Sequence, residues 1–126
     1  MLIGKLGITE GVSLFFINTP DDYMKLLGKL PIKIKMLKTM VKNIDFIHFF
    51  VLTKKDLNKN FPRLKKNLKK DGMLWISWPK GNGLPTDLKE NIIRDIGVKH
   101  GLVDVKVIAI NHTWSGLKFV YRMSDR

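Results

Sequence analysis

The 126 residues predict an α/β domain built on a mostly parallel sheet with one reversed strand near the C-terminus. Three observations carry that expectation. Short, nearly continuous apolar runs at 13–18 and 44–52 have the length and composition of strands covered on both faces. Segments with apolar residues at helical spacing alternate with those runs, which argues for crossover connections and parallel pairing. The last two runs are joined by a turn, the pattern of a closing hairpin.

Taken in order, residues 1–12 read as a lead-in punctuated by Gly4, Gly7 and Gly11. After the strand at 13–18, Thr19-Pro20-Asp21-Asp22 opens a helix. Thr19 suits the N-cap, Pro20 the first helical position, and the two acids the positive end of the dipole. Tyr23, Leu26, Leu27 and Leu30 form its apolar stripe, Gly28 weakens it and Pro31 ends it. Residues 32–36 alternate strictly between Ile or Met and Lys, as an edge strand does. Residues 37–43 are too few for a helix and another strand. The third strand spans 44–52.

Thr53-Lys54-Lys55-Asp56 begins a helix that runs to residue 70, with Leu57, Phe61, Leu64 and Leu68 on one side and Lys59, Arg63, Lys66 and Lys70 on another. Pro62 is expected to bend or split it. The fourth strand, Gly72-Met73-Leu74-Trp75-Ile76-Ser77-Trp78, stops at Pro79 and is the centre of the sheet. A loop covers 81–85. Thr86 or Asp87 caps the next helix, Asp87 with Glu90 having the spacing of a capping box. Leu88, Ile92, Ile93 and Ile96 face the core, and Gly101 ends the helix in a left-handed conformation. A fifth strand at 103–110, a turn at 111–116 and a strand at 117–122 complete the chain. No linker or low-complexity block interrupts it, so 1–126 is expected to be a single domain.

The charge is +12, from 23 Lys/Arg against 11 Asp/Glu, and residues 25–80 hold the whole excess. Such a balance attracts anions: nucleic acid, acidic lipid, a phosphorylated ligand or an acidic protein. A merely solvated lysine surface is the plainer alternative. With no cysteine, disulfides and thiolate chemistry are excluded. No run is long enough to span a bilayer, and residues 1–5 do not form a signal peptide, so a cytoplasmic protein without membrane association is expected. His48, His100 and His112 share no metal-ligand spacing. Neither a Gly-x-Ser-x-Gly elbow nor a phosphate-binding Gly-x-x-x-x-Gly-Lys loop is present. No catalytic residue and no metal site are therefore assigned. His48 is expected to be a hydrogen-bonded strand residue.

Two resemblances add to this. Lys5-Leu6-Gly7-Ile8, Asp45-Phe46-Ile47-His48, Trp75-Ile76-Ser77-Trp78-Pro79-Lys80, Thr86-Asp87-Leu88, 101–107 and 114–120 resemble a small bacterial family known only as a domain of unknown function. The helix–Gly–strand passage at 64–77 and the closing hairpin resemble Rossmann-like methyltransferases. That resemblance implies a three-layer fold with sheet order 2-1-3-4-6-5, one strand–helix unit being absent after Lys38. It also implies S-adenosylmethionine as cofactor, held by a glycine-rich turn after the first strand and an acid ending the second. Here the first strand runs into Asn18-Thr19-Pro20, and the second ends at Met36-Leu37-Lys38.

In the order that this resemblance implies, the strand exits, those of strands one and three foremost, flank the topological switch point, where open α/β sheets bind ligands. They carry the candidate ligand-binding residues Asn18, Thr19, Thr53, Ser77, Trp78, Lys80, Asn111 and Trp114. Lys59, Arg63, Lys66 and Lys70 are the candidate anion-binding surface. The leading expectation is a non-catalytic binding module, without cofactor, on a degenerate methyltransferase-like scaffold. The alternatives are a divergent S-adenosylmethionine-dependent methyltransferase and a basic protein making weak nucleic-acid contacts. An apolar edge at 32–36 or at the closing hairpin suits a homodimer.

Overall fold

A computed structural model describes every residue except Asn82, so the expected loop at 81–85 lies partly outside the described residues. In chain order the elements are α1 (Leu2–Leu6), β1 (Ser13–Ile17), α2 (Tyr23–Leu27), β2 (Lys35–Met36), β3 (Ile44–Phe50), α3 (Lys54–Asn67), β4 (Leu68–Pro79), α4 (Glu90–Lys99), β5 (Leu102–Ala109) and β6 (Trp114–Tyr121). The six strands form one mixed sheet, ordered β2-β1-β3-β4-β6-β5. β1 through β4 pair in parallel, and β6 runs antiparallel to both of its neighbours. The order agrees with the expected one.

Alternation along the central strands sends side chains to two faces. Ile47 and Phe49 of β3, Leu74 and Ile76 of β4, and Leu117 and Phe119 of β6 meet Leu57, Phe61 and Leu64 of α3 and Ile93 and Ile96 of α4. Phe46, Phe50 and Trp75 turn the other way, against Leu6 of α1 and Tyr23 and Leu27 of α2. The Trp75 indole donates to the Leu6 carbonyl at 2.9 Å, fastening the N-terminal segment to the centre of the sheet.

Several local expectations are corrected. Residues 2–6 are a helix, closed by Gly7 at φ 85°. The helix after β1 has only five residues, and Thr19 does not cap it: the N-cap is Asp22 and no side chain caps the turn. The edge strand is two residues long, because Lys33 takes φ 61° and breaks the extended backbone before Lys35. β1 is half-buried rather than covered on both faces. Among the described residues no helix lies between β2 and β3, and Phe15, Ile17, Leu37 and Met40 stay partly buried at the margin of the core.

α3 is one 14-residue helix that Pro62 does not split. It ends at Asn67, so Leu68 to Lys70 belong to β4, and Lys70 lies off the helix with its Nζ 4.3 Å from the centre of the Tyr121 ring. The expected capping box is not formed: α4 begins after Lys89, and Asp87 instead accepts from the Lys54 amide at the start of α3. Trp114 to Gly116 are strand rather than turn. Gly101, at φ 96°, does follow α4 as expected. No helix among the described residues is long and apolar enough to cross a membrane.

Candidate functional site

The exits of β1 and β3 diverge because the chain leaves them in opposite directions, and a cleft of about 530 Å³ opens between them. Asn18 stands at the end of β1. Its φ of 58° is left-handed, a conformation Asn tolerates better than most residues. Its side-chain amide donates to the Phe50 carbonyl at 3.4 Å and ties the two exits together. Phe49, Phe50, Val51 and Leu52 form the apolar floor.

Thr53 begins α3 as a true N-cap, its hydroxyl accepting from the Asp56 amide at 3.1 Å. Asp87 accepts from the next amide, and the Thr86 hydroxyl donates to the Leu52 carbonyl at 2.6 Å. These bonds pin the segment after β4 over the β3 exit, with Leu84 among the cleft residues. Asp56 and Asn60, four residues apart on α3, supply one polar wall. Trp114 closes another side, packed edge-on against Phe50 with ring centres 5.2 Å apart.

Of the residues predicted for the site, Asn18, Thr53 and Trp114 meet in this cleft. Asn111 stands behind it, its side-chain oxygen accepting from the Thr113 and Trp114 amides and so setting the turn that delivers Trp114. Thr19 is exposed and outside the lining. Trp78 is buried at the end of the core, and Trp78 and Lys80 border a separate hollow of about 350 Å³ beside Thr86 and Ser115. Ser77 is sealed inside, its Oγ 2.7 Å from His48 Nε2, while His48 Nδ1 lies 2.6 Å from the Tyr23 hydroxyl.

Burial lowers the His48 pKa to about 3 and raises that of Tyr23, so both are neutral at physiological pH. The neutral ring satisfies one partner as donor and the other as acceptor. The chain Tyr23–His48–Ser77 is reached by no solvent, and it supports the floor because Phe50 stacks on His48 at 4.2 Å. Asp56, Asn60 and Leu84 were not foreseen. The spacing of Asp56 and Asn60 beside an N-cap is the one sequence signal for them.

An open α/β sheet in this order, with a reversed strand inside one end and a cleft at its switch point, has the architecture of a Rossmann-like methyltransferase fold. Comparison with known structures bears this out. The chain is similar to a SAM dependent methyltransferase from Aquifex aeolicus (17% identity, 94% of this chain and 86% of that one, TM-score 0.64). It is similar to ribosomal protein L11 methylase from Lactobacillus delbrueckii subsp. bulgaricus (14%, 96% and 75%, TM-score 0.62). A third likeness is to magnesium protoporphyrin IX methyltransferase from Synechocystis PCC 6803, a structure with bound SAH (11%, 96% and 78%, TM-score 0.57). No protein-family model and no curated protein matches the chain.

These likenesses overturn the expectation of a scaffold that works without cofactor, since solved structures sharing the fold are SAM-dependent enzymes and one holds SAH. The physical reason is at β1. A first strand that runs into Asn18-Thr19-Pro20 instead of glycine predicts side chains and a proline where the cofactor needs bare backbone. Yet Asn18 adopts a left-handed φ there, and neither Thr19 nor Pro20 lines the cleft.

Proposed function

We propose that this chain is a divergent S-adenosylmethionine-dependent methyltransferase, one three-layer domain over 1–126, which holds the cofactor in the cleft between the β1 and β3 exits. The cleft itself carries the reading. Its volume falls in the range of small-molecule sites, and it combines an apolar, aromatic floor with a few convergent polar groups. The residues present fit the group. Phe50 and Trp114 offer apolar surface to a flat purine, and Asp56, Asn60 and Thr53 offer a carboxylate, an amide and a hydroxyl to its sugar and amino-acid ends. When bound, the cofactor would supply an electrophilic methyl on a sulfonium. The chain's own part is to bind and orient it and, through Leu52, Leu84 and Trp114, to limit the access of water.

Calorimetric titration with S-adenosylmethionine and S-adenosylhomocysteine tests this. Saturable micromolar binding of at least one is expected. Asp56→Asn together with Asn60→Ala, both on the outer part of a stable helix, should weaken it about tenfold, roughly 1.4 kcal/mol. No heat with either ligand at millimolar concentration overturns the assignment.

A further inference from the structure

α3 turns a line of cations outward along nearly its whole length. Lys55, Lys59, Arg63 and Lys66 are exposed and recur at spacings of three and four, opposite the buried Leu57, Phe61 and Leu64. At 1.5 Å per residue the line is roughly 16 Å long, with about one cation per turn. Among the described residues the only cations in ion pairs are Lys69 and Arg94, so no carboxylate neutralises any of the four. The line leads to the cleft: Arg63 Nη2 donates to Oδ1 of Asn60, a cleft residue, at 3.4 Å.

We propose that this line is a phosphate-binding track and that the partner it presents to the cleft is a single-stranded nucleic acid. The identity of the cleft rests on the methyltransferase reading above; the track is tested by binding alone. Cations repeating once per turn neutralise successive phosphates without reading sequence. An unpaired base of a flexible strand can turn into the mouth of the cleft beside Asn60 while its phosphates follow the line, which a base stacked in a duplex does not do. A membrane surface fits less well, because the apolar side of α3 is spent in the core: Leu57, Phe61 and Leu64 are 0% exposed. Lys55 takes the place that the sequence had assigned to Lys70, which lies on β4.

The test uses the full chain, a labelled unstructured RNA of about 20 nucleotides and its duplex form, with anisotropy measured from about 50 to 200 mM KCl. Four phosphate contacts at about 0.7 each predict that log K falls against log salt with a slope of about 3. Lys55→Gln/Lys59→Gln/Lys66→Gln should cut the slope to about 1 and weaken binding at least about tenfold at the lowest salt. Lys25→Gln/Lys29→Gln/Lys33→Gln removes the same charge from another exposed segment and should leave affinity within about threefold. Thermal melts of both triple variants establish that they are folded.

Equal losses in the two triple variants overturn the track, as does duplex binding as tight as single-strand binding. Binding to phosphatidylserine vesicles without binding to RNA overturns it in favour of a membrane. The α3 triple variant should bind S-adenosylmethionine as the parent does. A parent that binds RNA along α3 but neither adenosyl ligand refutes the methyltransferase reading and leaves the track standing.

Discussion

His48 shows how one buried side chain sets a pH limit on the whole fold. Its ring is fully buried between the Tyr23 hydroxyl and the Ser77 hydroxyl and stays neutral because burial lowers its pKa from 6.5 to about 3. The folded value lies below the unfolded one. Stability is therefore complete above about pH 6.5 and is lost as pH falls toward 3, since the unfolded chain binds a proton that the folded one refuses. The loss runs at about 1.4 kcal/mol per pH unit, or about 2 kcal/mol between pH 7 and 5. Urea unfolding at those two pH values should register it, and His48→Gln should flatten the dependence even though the variant is less stable overall. A slope unchanged by that substitution would place its origin in other groups. The sequence foretold a satisfied strand histidine here. It did not foretell the partners, because Tyr23 and Ser77 reach His48 only after three separate elements have packed.

At the scale of elements, α4 and β6 approach so closely at Gly97 that there is no room for a side chain. A methyl group on Gly97 would overlap the Phe119 ring, which is fully buried and has nowhere to move. Gly97→Ala gains up to about 1 kcal/mol in helix propensity, but overpacking a close-packed site costs about 1–3 kcal/mol. A net loss of about 1–2 kcal/mol in chemical denaturation is expected; a more stable variant would mean that α4 slides freely on the sheet.

What the sequence made legible follows from the same distinction between local and distant causes. α3 and α4 were readable because each carries an apolar stripe over three turns or so, and apolar runs marked most of the strands; their order came only from the resemblance to Rossmann-like methyltransferases. The five-residue α1 is too short to show a stripe, and α2 showed one but is shorter than its stripe implied. The true start of β4 depends on a distant contact: it pairs with Ile44 at Leu68, and Gly72 presses against the Asp45 carbonyl where the register shifts. In the cleft, Asn18, Thr53 and Trp114 were predictable as strand or turn ends. Asp56, Asn60 and Leu84 were not, since they depend on how α3 and the 83–88 segment settle over the β3 exit.

For the molecule as a whole, the uncompensated charge should govern its response to salt. The chain carries +12, and the ion pairs among the described residues join only Lys69 and Arg94 to carboxylates. Lys25, Lys29, Lys33, Lys35, Lys38 and Lys42 are all exposed in a stretch without an acid, and α3 adds a second cationic surface. Mutual repulsion of this kind acts against the compact state. Raising ionic strength from about 0.01 M to 0.15 M shortens the screening length from about 30 Å to about 8 Å, which silences repulsion between elements. Arg94, whose nitrogens lie 2.6 and 2.7 Å from Glu90 and Asp104, makes contacts far shorter than either length. Salt should therefore stabilise the fold. Relief of about 1 kcal/mol corresponds to a rise in Tm of roughly 2–8 °C for a domain of this size. Circular-dichroism melts in sodium chloride across that range would measure it, and a fall in Tm would mean that attractive pairs outweigh the repulsion. Sodium sulfate at matched ionic strength separates the two ways in which an anion can act. Equal rises identify screening alone, whereas a larger rise in sulfate that saturates with concentration identifies an anion held at a defined place on the basic surface, since the exclusion of sulfate from protein surfaces grows steadily instead.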